Sequence, residues 1–231
     1  MIRRLRFLGS EVVVGGATGA ELESVGRLLA EREAVFDRFD PTSELARVNA
    51  ATTDLVVCSP LLARTLRMAL SAARQTDGLV APTSGEEWRS VHVTPSVIGR
   101  TPGVTLDLTG IARALAVDEA LSVLRGTGFV SAGGGLAARG AVVAALPAGG
   151  TIRVVDSALA TCGGHDGPWK HVSASGRGCL AASVAARAGL HLGAEGPDWL
   201  DERSLPGRFV GEDGELVENG CWLRALAAPA A

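Results

Sequence analysis

The sequence predicts an α+β fold in one domain spanning residues 1–231, and three observations carry that prediction. Four segments place apolar residues at helical spacing. Between them lie short runs of Val, Ile, Leu and Ala punctuated by Gly, which read as strands. No internal repeat, low-complexity linker or compositional break divides the chain.

The elements follow in order. Phe7 to Val14 reads as a strand, broken by Gly15-Gly16-Ala17-Thr18-Gly19. Residues 20–36 carry Leu22, Val25, Leu28, Leu29, Val35 and Phe36 on one helical face, and 37–49 is polar and turn-rich. A second helix is capped by Ser59, opens on Pro60, runs along Leu62, Leu66, Leu70 and Ala73, and stops at Asp77-Gly78. Short β-like pieces at 91–93 and 104–106 precede a third helix from about Gly110 to Leu124, ended by Gly126. Strands are expected at 129–132, 141–146 and 151–155, and a small-residue helix over 179–192. A hairpin is expected around Gly211-Glu212-Asp213-Gly214.

The 231 residues suffice for a sizeable core, and 47% apolar with 20% charged residues is an ordinary globular composition. With aromatics at 4% and no Tyr, the core must lean on Ala, Val and Leu. A net charge of -3 leaves no basic excess for phosphate backbones, so nucleic acid is not an expected partner. No apolar run approaches the ~20 residues of a membrane span. The basic start, Met1 to Arg6, is followed by Glu11 instead of a signal-like apolar stretch, so a cytoplasmic location is expected. Cys58, Cys162, Cys179 and Cys221 are widely spaced and read as reduced thiols.

Individual motifs say little. Gly15-Gly16-Ala17-Thr18-Gly19 before a helix looks like a dinucleotide loop, but its spacing does not satisfy G-x-G-x-x-G and no acid-tipped second strand follows, so a plain turn is the better reading. Cys162 and His165 could form half a zinc site, yet no second pair accompanies them. His92 and His191 are isolated and read as structural. Ser173 or Ser175 with His171 lacks the nucleophile-elbow context of a hydrolase.

Taken in series, six segments are more specific. They are Phe7-Leu8-Gly9-Ser10-Glu11-Val12; Phe36 to Asn49 with its Phe39-Asp40-Pro41-Thr42-Ser43-Glu44-Leu45 core; Thr76-Asp77-Gly78-Leu79-Val80-Ala81-Pro82-Thr83; Leu106 to Arg113; Ser131 to Gly135; and Ala158 to Gly163. In this order and spacing the chain resembles the FAD:protein FMN transferases, the ApbE family, from Phe7 to about Leu200. The resemblance implies a single-domain ApbE-type fold, mixed sheets with flanking helices. It implies FAD as ligand, Mg²⁺ as metal, and transfer of FMN from FAD to a Thr or Ser hydroxyl of an acceptor flavoprotein bearing an S-G-A-T-type motif, with release of AMP. By position, Leu8, Phe39, Leu79, Val80, Ala81, Asp107, Arg113 and Val172 would line the FAD site. His171 would position or move a proton, and the main-chain carbonyl of Gly110 would ligate the metal.

The departures from the family pattern gather at the chemistry. Where the family has Asp and Thr four apart on its late helix, as metal ligands, this chain has Ser183 and Arg187. Ala81 and Gly135 stand at two further acidic positions, and Arg113 replaces a Lys. A serine hydroxyl is a poor Mg²⁺ ligand and a guanidinium is none. Two accounts follow. The site is catalytically silent and the fold serves FAD or partner binding, or Arg187 and Arg113 neutralise the pyrophosphate where the metal sat. Gly16-Ala17-Thr18 also looks like the core of the family's acceptor motif, which raises self-modification at Thr18.

Overall fold

A computed structural model describes residues 2–164 and 167–227. The first strand and its partner, β1 (Ile2–Phe7) and β2 (Ser10–Gly15), form a hairpin about Leu8-Gly9. Both turn residues have positive φ, 46° and 75°, the mark of a two-residue turn whose twist matches its strands. The single strand expected over 7–14 is therefore two strands. Leu8, an apolar residue in a left-handed turn position, hides the break in the sequence.

Thr18 caps α1 (Gly19–Phe36) in a reciprocal capping box with Glu21, and Val25, Leu29 and Phe36 are buried. The Thr18 hydroxyl is thus committed to Glu21, donating to Oε2 at 2.9 Å. The segment expected to be turn-rich contains α2 (Glu44–Ala50), capped by Ser43 and burying Leu45 and Val48. Its two-residue apolar signature is too short to show a helical period. Next come β3 (Leu55–Val57) and α3 (Pro60–Gln75), the latter capped by Ser59 and halted by Asp77 and Gly78 at φ 46° and 86°. The pair β4 (His92–Val93) and β5 (Val97–Gly99) completes a three-stranded sheet in the order β3-β5-β4. Residues 104–106 belong to no strand among the described residues. Instead, Asn49 donates to the Leu106 carbonyl and accepts from its amide, both at 2.9 Å.

The second half holds α4 (Thr109–Val123), β6 (Gly128–Ala132), β7 (Gly135–Arg139), β8 (Ala141–Ala145) and β9 (Thr151–Val155). It continues with β10 (Ala158–Gly163), β11 (Trp169–Gly176), α5 (Cys179–His191) and α6 (Gly196–Glu202), and ends with β12 (Gly207–Gly211), β13 (Leu216–Glu218) and α7 (Gly220–Ala227). Eight strands form one antiparallel sheet in the order β1-β2-β6-β7-β10-β11-β12-β13, and β8 and β9 pair separately. Strands β7, β10 and β11 were not foreseen, because their Ala, Gly and Ser content has low strand propensity. As interior strands they are fixed by packing and pairing on both sides. The expected C-terminal hairpin is present as β12 and β13.

Helices α4 and α5 pack against each other, α4 against α1 and β6, and α5 against β10 and β11. Small residues allow this closeness: Ala112, Ala116 and Ala120 on α4, and Ala182, Ala185 and Ala186 on α5, are buried. The N-terminus of α5 has no side-chain cap of its own. Asp118, reaching from α4, accepts from the Cys179 and Leu180 amides at 2.6 and 3.0 Å. That bond fixes the rotation of α5 relative to α4, and so which of its side chains face the groove between them. Among the described residues no helix is long and apolar enough to cross a membrane.

Candidate functional site

A cavity of about 510 Å³ opens where α4 begins, beside the loop 78–85, the β6–β7 turn, the end of β10 and one face of α5. Ala132, Gly133 and Gly134 form its floor at the turn. Gly133 and Gly134 have φ of 55° and 88°, so only glycines bring the backbone this close without strain. A second cavity, about 290 Å³, adjoins it between the Leu8-Gly9 turn and the end of α1. The two share Arg38 and Arg113 on their walls.

Most of the residues expected from the sequence meet here. Leu79, Val80, Ala81, Asp107, Gly110, Arg113, Ser183 and Arg187 line the larger cavity. Leu8 and Phe39 line the smaller one. Phe39 is 80% exposed at its mouth, with the Arg38 guanidinium 4.7 Å from the ring centroid. Two expected residues stand apart. Val172 is fully buried in a separate apolar cluster with Trp169 and Phe209, so it faces the core. His171, on β11 opposite Gly163, is not among the lining residues.

Residues the sequence did not single out as lining are Arg38, Thr83, Thr161, Cys162 and His191. His191 read as structural, but it follows Arg187 by one helical turn, as Arg187 follows Ser183, so all three share one face of α5. That spacing was the available signal. Burial first, and then Arg187, lower the His191 pKa below the ordinary imidazole value, which favours the neutral ring at pH 7. The half-zinc reading of Cys162 with His165 falls on a residue outside those described, as does Asp166.

The electrostatics of the cavity are one-sided. Arg38, Arg113 and Arg187 line it against one carboxylate, Asp107. Asp107 is held by the Arg38 Nη1 at 2.8 Å and accepts the Thr109 amide at 2.9 Å. Arg113 donates through Nη2 to the Leu8 carbonyl, while its buried Nε has no partner among the described residues. The buried Thr83 hydroxyl is unpartnered in the same way. Burial lowers the Arg113 pKa, Asp107 opposes that shift, and Arg187 adds to it. Arg113 stays protonated all the same. Two guanidiniums close enough to repel, with an orphaned donor between cavity walls, describe a pocket suited to an anion.

The divalent metal that the resemblance implied does not fit these residues. Mg²⁺ wants anionic oxygen ligands in octahedral array, and the cavity's one carboxylate is already engaged by Arg38. Beside Gly110, the expected main-chain ligand, stands the Arg187 guanidinium: a Cβ added to Gly110 would lie 3.5 Å from Nη2. Among the described residues no three His, Cys, Asp or Glu side chains are grouped to hold a metal ion.

The thiols give a check on this geometry. Burial raises the Cys162 pKa, with Arg187 pulling it partway back, and burial with Asp118 pushes Cys179 up to about 12. Cys162, on the cavity wall, is expected to alkylate slowly at neutral pH and faster as pH rises toward and past 9. Cys58 and Cys179, both buried, should label only on unfolding. Peptide mass spectrometry after iodoacetamide pulses at several pH values reads this directly, and prompt labelling of Cys179 in the folded chain contradicts it.

Comparison with known proteins agrees with the fold. The ApbE family model matches residues 8–97. No curated protein sequence matches the chain. Among solved structures, the flavinyl transferase ApbE of Pseudomonas stutzeri superposes with a TM-score of 0.87 at 14% identity, covering 98% of each chain. A histidine-to-glycine variant of the flavin transferase ApbE of Vibrio cholerae gives 0.85 at 16%, over 97% of this chain and 98% of that one. The ApbE protein of Thermotoga maritima gives 0.84 at 18% identity, covering 99% of both chains. At such identities the structures speak to fold alone, and the family model adds a sequence match over residues 8–97: the chain has the fold of the ApbE flavin transferases and is similar in sequence to that family over its N-terminal part.

Proposed function

We propose that the protein is an FAD:protein FMN transferase acting as one unit, which holds FAD across the two adjoining cavities and passes its FMN half to a Thr or Ser of an acceptor protein. The observation that carries this reading is the shared wall. A dinucleotide has two bulky ends joined by a diphosphate, and the two cavities are joined where Arg38 and Arg113 serve both. Guanidiniums at that junction match a diphosphate bidentately.

In this reading the acceptor hydroxyl oxygen attacks the FMN-side phosphorus. The bond from that phosphorus to the bridging oxygen breaks, and AMP leaves with the bridging oxygen. The hydroxyl proton goes to an imidazole nitrogen, for which His191 lines the cavity and His171 stands nearby on β11. Arg38, Arg113 and Arg187 carry the negative charge that shifts toward the bridge as the bond breaks. Leu79, Val80 and Ala81 give the flavin or adenine ring an apolar wall.

A second reading, FAD or partner binding without turnover, is favoured by one observation, the absence of His171 from the cavity lining. Intact-mass spectrometry separates the two. An acceptor domain bearing S-G-A-T is incubated with FAD and this protein, with and without Mg²⁺. An FMN-sized gain that requires the protein is the expected result, and its loss in His191→Gln with retention in His171→Gln assigns the proton acceptor. No gain, with FAD binding confirmed by flavin fluorescence, leaves the binding reading. The same spectra report any FMN added to Thr18.

A further inference from the structure

We propose that Arg187 is a built-in counter-cation, so that this site binds a diphosphate without any divalent metal. The proposal rests on the flavin reading only for the identity of the ligand, since the diphosphate is the group Arg187 recognises.

Three independent features point the same way. Arg187 approaches Gly110 closely enough that a Cβ there would be in van der Waals contact with its Nη2, so the guanidinium sits against the first turn of α4. Its face of α5 carries Ser183 on one side and His191 on the other, Cys162 lies beside it, and the nearest charge felt across the cavity is the like-charged Arg113, so no carboxylate among the described residues neutralises it. No ion pair to a carboxylate restrains Arg113 or Arg187 among the described residues. The cavity lining has two more cations than anions, a state that costs energy when empty of anion and is relieved when negative charge enters. A diphosphate diester is negative on both phosphoryl groups and so matches that excess.

The unpartnered Arg113 Nε shows that the pocket has a donor left over as well as a charge. A bound metal ion would worsen the imbalance, since it would add positive charge beside Arg187. An anion resolves the charge and the donor together. Arg187 differs from a metal ion in one way that bears on the ligand: it is tethered, so it need not be bound from solution and cannot be removed by a chelator.

The test uses the intact protein with two probes, FAD followed by flavin fluorescence and inorganic pyrophosphate followed by calorimetry. Each is titrated in EDTA and again in Mg²⁺ kept low enough not to sequester the probe. Wild-type affinity is expected to be the same within about twofold in EDTA and in low, non-sequestering Mg²⁺. Arg187→Gln should weaken both probes at least tenfold in EDTA, the loss of one charge-assisted contact. The pair Ser183→Asp with Arg187→Thr should bind FAD weakly in EDTA and regain affinity with Mg²⁺; thermal melts confirm that both variants fold. Wild-type binding that needs Mg²⁺, or an Arg187→Gln variant that binds both probes as tightly as wild type, overturns the proposal. Pyrophosphate bound through Arg187 without FAD binding upholds it and removes the flavin reading. FAD bound in EDTA but indifferent to Arg187→Gln does the reverse.

Discussion

Arg113→Met weakens FAD binding about 100-fold, the loss of roughly 2.7 kcal/mol expected when a partly buried guanidinium no longer meets a phosphate. Arg113 and Arg38 both line the two cavities, and two facts single out Arg113. Its Nε is buried without a partner among the described residues, and its charge is opposed by no salt bridge of the kind Arg38 makes with Asp107. Arg113→Lys keeps the charge but presents a point instead of a fork, so it recovers part of the affinity. Because Arg113 also donates to the Leu8 carbonyl, its loss loosens the β1–β2 turn on one side. Glu33 still accepts the Leu8 amide at 3.0 Å, which holds the other side, so the melting temperature moves by only a few degrees. Fluorescence titration with a parallel thermal melt separates the two effects. An unchanged affinity removes Arg113 from the phosphate site.

Much of this site could be read from the chain because its residues cluster at element ends that announce themselves. Ser59-Pro60, Asp77-Gly78 and the Gly133-Gly134 turn mark boundaries by backbone chemistry, and the cavity-lining residues 79–81, 107, 110, 111 and 113 sit near element ends. Arg187 and Ser183 were found because the late helix has an in-frame pattern to depart from. Other features depend on distant partners. Asp118 reads as a polar position on α4, but its role is set by the α5 amides sixty-odd residues away. Val172 matched the resemblance by position, yet strand alternation turns it to the core, where Trp169 and Phe209 pack at 5.2 Å. The central strands β7 and β10 carry Ala, Gly and Thr, residues whose strand state comes from their neighbours and not from themselves.

Arg100→Met should cost about 3–4 kcal/mol of stability, the largest effect expected of any single change outside the apolar core. Arg100 is 3% exposed and donates to five backbone carbonyls: Val48, Asn49 and Ala51 at the end of α2, and Thr101 and Val104 in its own loop. The first group includes carbonyls a short helix leaves without intrahelical partners, at the negative end of its dipole. Methionine fills most of the volume but satisfies none of them, so buried acceptors are orphaned together. For a chain of this size the melting temperature should fall by about 10 °C. The effect reaches the site by a short route. Helix α2 carries Asn49, whose side chain holds both the amide and the carbonyl of Leu106, and Leu106 precedes Asp107 on the cavity wall. Arg100→Met should therefore weaken FAD binding as well as lower stability, whereas Asn49→Ala should give the binding defect with a smaller loss of stability. If Arg100→Met melts lower but binds FAD as wild type does, the α2–Leu106 link is not what positions Asp107.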